Sequence, residues 1–298
     1  MSVASILDRP SIKRNPVGRA LTSTWGARIT FYVMFLVFWQ LLAMNVVRVP
    51  APLETFEFIW TELTWGDHPG VRDGEWVEHL SVTFVRFSIG LALGVLAGVI
   101  VGIAVGSSGF MRSLLSDVLL VFLALPAIIW AFLTVMWFGL GWKAPVFTVM
   151  LSAAPFVAVN ISHGVRAVSP ELHRMSDAFG VPRNRRFRSL LMPAIAGYLF
   201  TGLRFAFIIG WNAVLLAEWF GAANGVGWRS RLWYDGARYE GFVGWVIIFI
   251  TIIFLVDGLI LTPLQNRAFR WRKSGAAGIE LVEMDHAGFE EGRAVRGA

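Results

Sequence analysis

SPELHRMSDAFGVPRNRRFRSLLMP, residues Ser169 to Pro193, is the longest polar interruption in the C-terminal two-thirds of a very apolar chain. It is basic, it closes one hydrophobic segment and it opens the next, which is the pattern of a loop on the inner side of a membrane. Ser169 is placed as an N-cap, Pro170 as the first helical residue and Glu171 as a favourable charge in the first turn. Leu172, Met175 and Phe179 fall at i, i+3 and i+7, so one face of the predicted helix is apolar. Gly180 is placed to end it, with Pro182 just beyond. A second short basic helix is predicted over Arg183–Met192, and Pro193 starts the next apolar run. An amphipathic helix outside the bilayer must bury its stripe somewhere. Its own membrane domain, lipid headgroups or a groove in another protein would all serve, and spacing leaves these open.

Working outward, the 298 residues are 56% hydrophobic and 15% charged, with mean hydropathy +0.62. Soluble domains carry roughly 25% charged residues, so this chain lacks the charge to coat a water-facing surface. Several apolar runs reach the ~20 residues that a helix needs to cross a bilayer. The net charge of +6 sits in short segments between those runs, so it serves orientation in the membrane rather than nucleic-acid binding. There is no cysteine, and the five histidines lack paired metal spacing. The N-terminus shows no short apolar core ending in a small-residue cleavage site.

Six spans are predicted. The first covers about 29–47, after a polar tail over 1–28. The loop 48–79 is acidic, and Phe56, Phe58, Ile59, Trp60 and Leu63 suggest an amphipathic helix at the interface. The second span, about 80–105, carries Gly90, Gly94, Gly98, Gly102 and Gly106 every four residues, a spacing that lets another helix backbone approach closely. Arg86 is expected to snorkel to the headgroups. The third span, 114–137, holds Pro126 as a kink, either for packing or beside a solute path. The fourth, 145–165, holds Pro155 and Asn160, and Asn160 is expected to bond another helix. The fifth, about 195–220, holds Arg204 and Glu218, and the sixth, 242–264, holds Asp257. The tail 269–298 is rich in Gly and Glu and reads as disordered.

Lys and Arg concentrate before the first span, at Arg112, in 166–188 and at 267–273, which alternate as inner segments. The acidic 48–79 loop falls outside, so both termini are cytoplasmic. The 221–241 loop also falls outside, and its Arg229, Arg231 and Arg238 run against the charge rule.

At this point the loop resembles a family. Gly180 and Pro193, thirteen apart with Leu190 and Met192 between them, match part of the EAA loop, the signature of binding-protein-dependent ABC importer permeases. Asp177-Ala178-Phe179-Gly180 resembles the run before its glycine. Val49-Pro50-Ala51-Pro52, His79 to Gly90, Trp137-Phe138-Gly139-Leu140-Gly141, Thr201-Gly202-Leu203-Arg204 and Ala217-Glu218 resemble the nitrate/sulfonate/taurine subgroup. The resemblance covers about 30–272. It departs at Arg174, where the motif has an acidic residue, and at Met175 and Ser176, where it has alanines. Glu171 or Asp177 could compensate.

The resemblance implies an all-α, six-helix type I importer permease (MetI-like) fold over 29–268, in a bacterial cytoplasmic membrane as a multi-pass protein. It implies a second permease copy, two cytoplasmic ATPases that receive the 169–193 loop, and an extracytoplasmic solute-binding protein. The chain has no phosphate-loop motif, so ATP and magnesium are expected on the ATPase and no cofactor on this chain. The implied solute is a small anion. Another small organic solute, such as an aromatic acid or pyrimidine precursor, is the alternative.

No nucleophile–base pair is visible, nor the ring of charge a channel filter needs. Candidates for the solute path are Pro126, Trp211, Asn212 and Glu218, each with packing or anchoring as its competing role. Arg204 and Glu218 lie fourteen residues apart, too far along one helix to pair at ~1.5 Å per residue. Arg204 is expected to snorkel or pair with another helix, and Asp257 to hold an interhelical bond.

Overall fold

The structure is a computed structural model that describes residues 24–64 and 76–268. Residues 1–23 of the predicted N-terminal tail, the acidic residues 65–75 and the predicted C-terminal tail 269–298, with Arg270, Arg272 and Lys273, lie outside the described residues, whereas 24–28 open α1 instead of belonging to the tail. All regular structure among the described residues is helical. In chain order these are α1 (Thr24–Asn45), α2 (Pro52–Leu63), α3 (Trp76–Ser107), α4 (Gly109–Ala124), α5 (Ala127–Phe138), α6 (Lys143–Arg166), α7 (Pro170–Ala178), α8 (Arg183–Arg186), α9 (Met192–Gly221), α10 (Val226–Asp235), α11 (Tyr239–Val256) and α12 (Thr262–Ala268). Five helical runs are long and apolar enough to cross a membrane, and a sixth span forms if α4 and α5 count together. The chain is a multi-pass membrane protein.

The core is a three-helix slab of α3, α6 and α9. Its close approach comes from the glycine row. A Cβ on Gly90, Gly98 or Gly102 would lie 2.6 Å from the backbone carbonyl of Val146, Ala154 or Ala158 respectively. On Gly106 it would lie 2.6 Å from the Val165 Cβ, and on Gly94 it would lie 3.1 Å from the Met150 carbonyl. These glycines let two backbones touch where hydrophobic driving force between helices is absent. Ala153, Val157, Ile161, Ile195 and Ala206 fill the rest of that seam. A second, aromatic cluster of Phe87, Phe207, Trp211 and Phe249 ties α9 to α3 and α11. Trp211 stacks on Phe249 at 4.8 Å and meets Phe87 edge-on at 4.9 Å.

The third span is not one kinked helix. α4 and α5 meet at 100°, because Leu125 and Pro126 are both extended (ψ 123° and 145°). A proline disfavours helical backbone in the residue before it and donates no hydrogen bond itself. The predicted second loop helix is also shorter. α8 stops at Arg186, and a π-helical turn, Phe187–Leu191, carries it directly into α9. The fifth apolar run is thus one continuous helical path from Asn184 to Gly221. A second π-helical turn, Asp257–Leu261, joins α11 to α12.

α2 packs on protein rather than lying free at an interface. Thr55, Phe58 and Glu62 are buried on one face, and Phe58 meets Trp233 of α10 edge-on at 4.9 Å. No residue of α1 from Trp25 to Asn45 is buried, as expected of a helix facing lipid. Trp39 ties it to α2 by donating its indole N–H to the Pro50 carbonyl at 3.0 Å.

Candidate functional site

The helix that opened the sequence reading forms over Pro170–Ala178 at one end of the bundle. The Ser169 hydroxyl accepts from the Leu172 N–H at 3.4 Å. The C-terminus closes as a Schellman motif. The Val181 N–H donates to the Ser176 carbonyl and the Gly180 N–H to the Asp177 carbonyl, both at 3.0 Å. Gly180 sits at φ +64°, in the left-handed region. Leu172, Met175 and Phe179 are 41%, 53% and 77% exposed, so nothing among the described residues covers the stripe. Of the α7 side chains described, all but Ser176 are exposed, including Glu171, Arg174, Asp177 and Ala178. Arg186 forms an ion pair with Asp177 across the turn, which engages one of the two carboxylates that could have answered Arg174. Pro193 lies in the first turn of α9.

The opposite end holds a buried polar staple that sequence reading missed. Glu218 is 0% and Arg86 2% exposed. The Arg86 guanidinium donates to Glu218 Oε1 at 2.8 Å, to the Asn224 carbonyl at 2.9 Å and to Asn224 Oδ1 at 2.6 Å. Glu218 Oε2 accepts from the Thr83 hydroxyl at 2.8 Å and from the Gly227 N–H at 3.1 Å. The Thr83 oxygen in turn accepts from the Val226 N–H at 2.8 Å, and His79 Nδ1 accepts from the Gly225 N–H at 3.1 Å. Arg86 therefore does not snorkel. It closes a charge-neutral joint between α3, the end of α9 and the start of α10. Gly225, at φ +104°, comes so close that a Cβ there would sit 2.4 Å from the Glu218 carboxyl carbon. The signal in the sequence was the Gly225-x-Gly227 turn just after Glu218, at the end where Arg86 also falls.

The three arginines that ran against the charge rule are all paired at this end. Arg229 meets Glu62 of α2 at 3.3 Å with both side chains buried. Arg231 meets Asp235 at 3.1 Å, and Arg238 meets Glu240 at 3.5 Å. Arg238 also lies over the Trp233 ring at 4.5 Å. Counting residues made this loop basic, but locally its arginines are matched by carboxylates.

Of the four path candidates, two come together. Pro126 and Asn212 line one cavity of about 220 Å³ at the α4–α5 break, with Phe122, Ser152 and Phe156. Trp211 faces the aromatic cluster instead, and Glu218 lies in the staple. Arg204 bonds Asp257 on the next span at 2.7 Å. Asn160 bonds the Phe156 carbonyl of its own helix at 2.8 Å, so the interhelical bond expected of it does not form. Its amide reaches the carbonyl one turn back more easily than a neighbouring helix.

Residues 94–267 match the family model described as binding-protein-dependent transport system inner membrane component. The taurine transport system permease protein TauC of Escherichia coli is 26% identical over 261 residues, 87% of this chain and 92% of that protein. The formylaminopyrimidine transport permease protein ThiX of Halalkalibacterium halodurans is 24% identical over 82% of this chain and 94% of its own length. The nitrate import permease protein NrtB of Synechocystis sp. is 23% identical over 85% and 91%. In three dimensions a chain of the MetNI methionine ABC transporter, in an inward-facing conformation, superposes with a TM-score of 0.54 over 71% of this chain and 98% of that one, at 18% identity. The fold is therefore that of a type I importer permease. The family model covers more than half of the chain, and the chain belongs to the family of binding-protein-dependent transport system inner membrane components.

Proposed function

We propose that this chain is the solute-path subunit of an ATP-driven importer for a small anion, and that it works as a pair of identical copies in a bacterial cytoplasmic membrane. Two ATPases on the inner side receive α7 in a surface groove, and a solute-binding protein delivers cargo from the other side. ATP and magnesium act on the ATPases. The chain is a transport subunit, and its sequence has no phosphate loop. The observation that carries the reading is the uncovered stripe of Leu172, Met175 and Phe179 on a helix capped at both ends. Such a helix is rigid enough to transmit a push and apolar enough to need a partner groove. Arg174 brings a positive charge to that joint where related loops carry an acid, so the matching groove carries a different electrostatic partner. The anion class is supported by the relatives named for taurine and nitrate. The relative named for formylaminopyrimidine supports a second reading, a small nitrogen heterocycle.

The test is Gly180→Pro in the full chain, co-expressed with its cognate ATPase. Proline removes the N–H that bonds the Asp177 carbonyl and cannot adopt φ +64°. The variant is expected to reach the membrane, to lose ATPase retention on purification and to lose uptake. Normal ATPase retention and uptake would sink the coupling assignment. Binding of taurine, methanesulfonate, nitrate and a formylaminopyrimidine to the neighbouring binding protein separates the two cargo readings.

A further inference from the structure

The cavity at the α4–α5 break carries more than its two path candidates. Ser152 lies on α6, is 4% exposed and lines this cavity, and its hydroxyl oxygen has no hydrogen-bond partner. Among the buried hydroxyls of the described residues this is the exception. The buried hydroxyls of Thr134, Thr148, Ser162 and Ser230 each bond the carbonyl three or four residues back on their own helix. A buried hydroxyl without a hydrogen-bond partner carries an uncompensated desolvation cost, which a ligand oxygen reaching it would relieve.

The same cavity receives the N-terminus of α5, a helix of 12 residues. Pro126 is its N-cap and offers no side-chain acceptor. The Ile129 N–H turns back to the Pro126 carbonyl at 2.9 Å, while Ala127 and Ile128 precede any carbonyl of their own helix that could accept from them. The positive end of the helix dipole thus points into the space where Ser152 sits. Asn212 donates one amide hydrogen to the Ile208 carbonyl at 2.9 Å and keeps a second. Among the described residues no acidic or basic side chain lines the cavity, so an anion there meets donors without repulsion from them and a cation meets no carboxylate of theirs.

Depth agrees with a path. Ser152 lies nine residues from the start of α6 at Lys143, and Asn212 nine residues before the end of α9 at Gly221. Both helix ends are tied at one level by the Gly141 N–H on the Gly221 carbonyl at 2.7 Å. Nine residues at ~1.5 Å each place the cavity about 14 Å from that end, inside the apolar layer, where broken backbone is tolerated only along a cavity or within protein.

We infer that this cavity is an intermediate binding site for a small oxyanion, with the Ser152 hydroxyl, the Asn212 amide and the first N–H groups of α5 as its donors. The inference rests on the reading of the chain as the solute-path subunit of an anion importer. It adds a place and a set of atoms to that reading.

The chain contains no cysteine, so Ser152→Cys and Asn212→Cys each give a single reactive thiol per copy of this chain, and the assembled transporter without either substitution serves as the blank for partner thiols. The probes are two methanethiosulfonates of similar size, 2-sulfonatoethyl and 2-(trimethylammonio)ethyl, with each rate divided by that of a free thiol. At both positions the sulfonate reagent is expected to react about tenfold faster on this scale, the ratio that ~1.4 kcal/mol of dipole and donor preference gives, and sodium methanesulfonate is expected to slow it. In parallel, Ser152→Ala is expected to leave thermal stability unchanged or raised, since it deletes an unpaired oxygen. Equal rates, a cationic preference or no modification by either reagent overturns the inference, and so does a clear loss of stability in Ser152→Ala. The cargo reading fails separately, through a cognate binding protein that takes no small anion, because the charge preference of the two thiols is measured without cargo.

Discussion

Glu218→Ala tests the buried staple directly. Glu218 accepts three hydrogen bonds, from Arg86, Thr83 and Gly227, and no other carboxylate among the described residues pairs with Arg86. Its remaining acceptors, the carbonyl and side-chain oxygens of Asn224, are neutral. Removing one partner of a buried pair costs ~3–5 kcal/mol, because the surviving charge stays desolvated. The Thr83 hydroxyl and Gly227 N–H lose an acceptor as well, which pushes the loss toward the upper end of that range. At roughly 2–4 °C per kcal/mol for a chain of this size, the melting point in detergent falls by roughly 6–20 °C. Arg86→Met should cost a similar amount, since it strands the carboxylate. The combined Arg86→Met/Glu218→Ala variant should recover at least about 2 kcal/mol relative to the sum of the singles, since neither charge is then left alone. The assay is thermal unfolding of the purified transporter, read as a double-mutant cycle. Single variants that lose less than about 1 kcal/mol, or losses that simply add, would refute the staple, because an exposed or screened pair behaves that way.

Further outcomes follow from the same geometry. Gly98→Ala should destabilise by ~1–3 kcal/mol, since its Cβ would lie 2.6 Å from the Ala154 backbone carbonyl, whereas Gly109→Ala, with open space around it, should be neutral; comparative melting checks both. Arg229→Met leaves Glu62 buried without its guanidinium, so hydrogen exchange over 52–63 in the full-length protein should rise more than tenfold, the change expected for a loss of ~1.4 kcal/mol or more. Gly180→Ala keeps the N–H but pays for the left-handed backbone at φ +64°, so ATPase retention should fall only partly, by ~1 kcal/mol, between wild type and Gly180→Pro. Pro126→Ala restores an N–H at the break, and uptake should fall if the 100° bend relaxes toward a straight helix; unchanged uptake would mean the bend is held by packing alone.

Local features of the chain carried much of this structure. The spans were legible because lipid demands long apolar helices whatever surrounds them. The capped helix at Ser169–Gly180 was legible because its N-cap, stripe and terminating glycine act within a few residues of one another. The glycine row announced a close helix contact for the same reason, although not that α6 was the helix it meets. The 100° bend at Pro126 was only half visible. A proline guarantees a missing hydrogen bond, but whether the helix kinks or turns away depends on what packs on either side.

The membrane class, the basic and acidic character of the loops and the form of α7 thus follow from short-range propensity and from the solvent each segment must face. The partners follow from the packing of distant segments. Arg86 and Glu218 lie 132 residues apart, Glu62 and Arg229 lie 167 apart, and Ser152, Pro126 and Asn212 come from three different spans. A charge in an apolar segment announces that it must be satisfied, because desolvation leaves no alternative. Which distant group satisfies it is set by how the helices cross, and the loop that carries α7 reads plainly for the opposite reason, since its stripe is covered by nothing among the described residues.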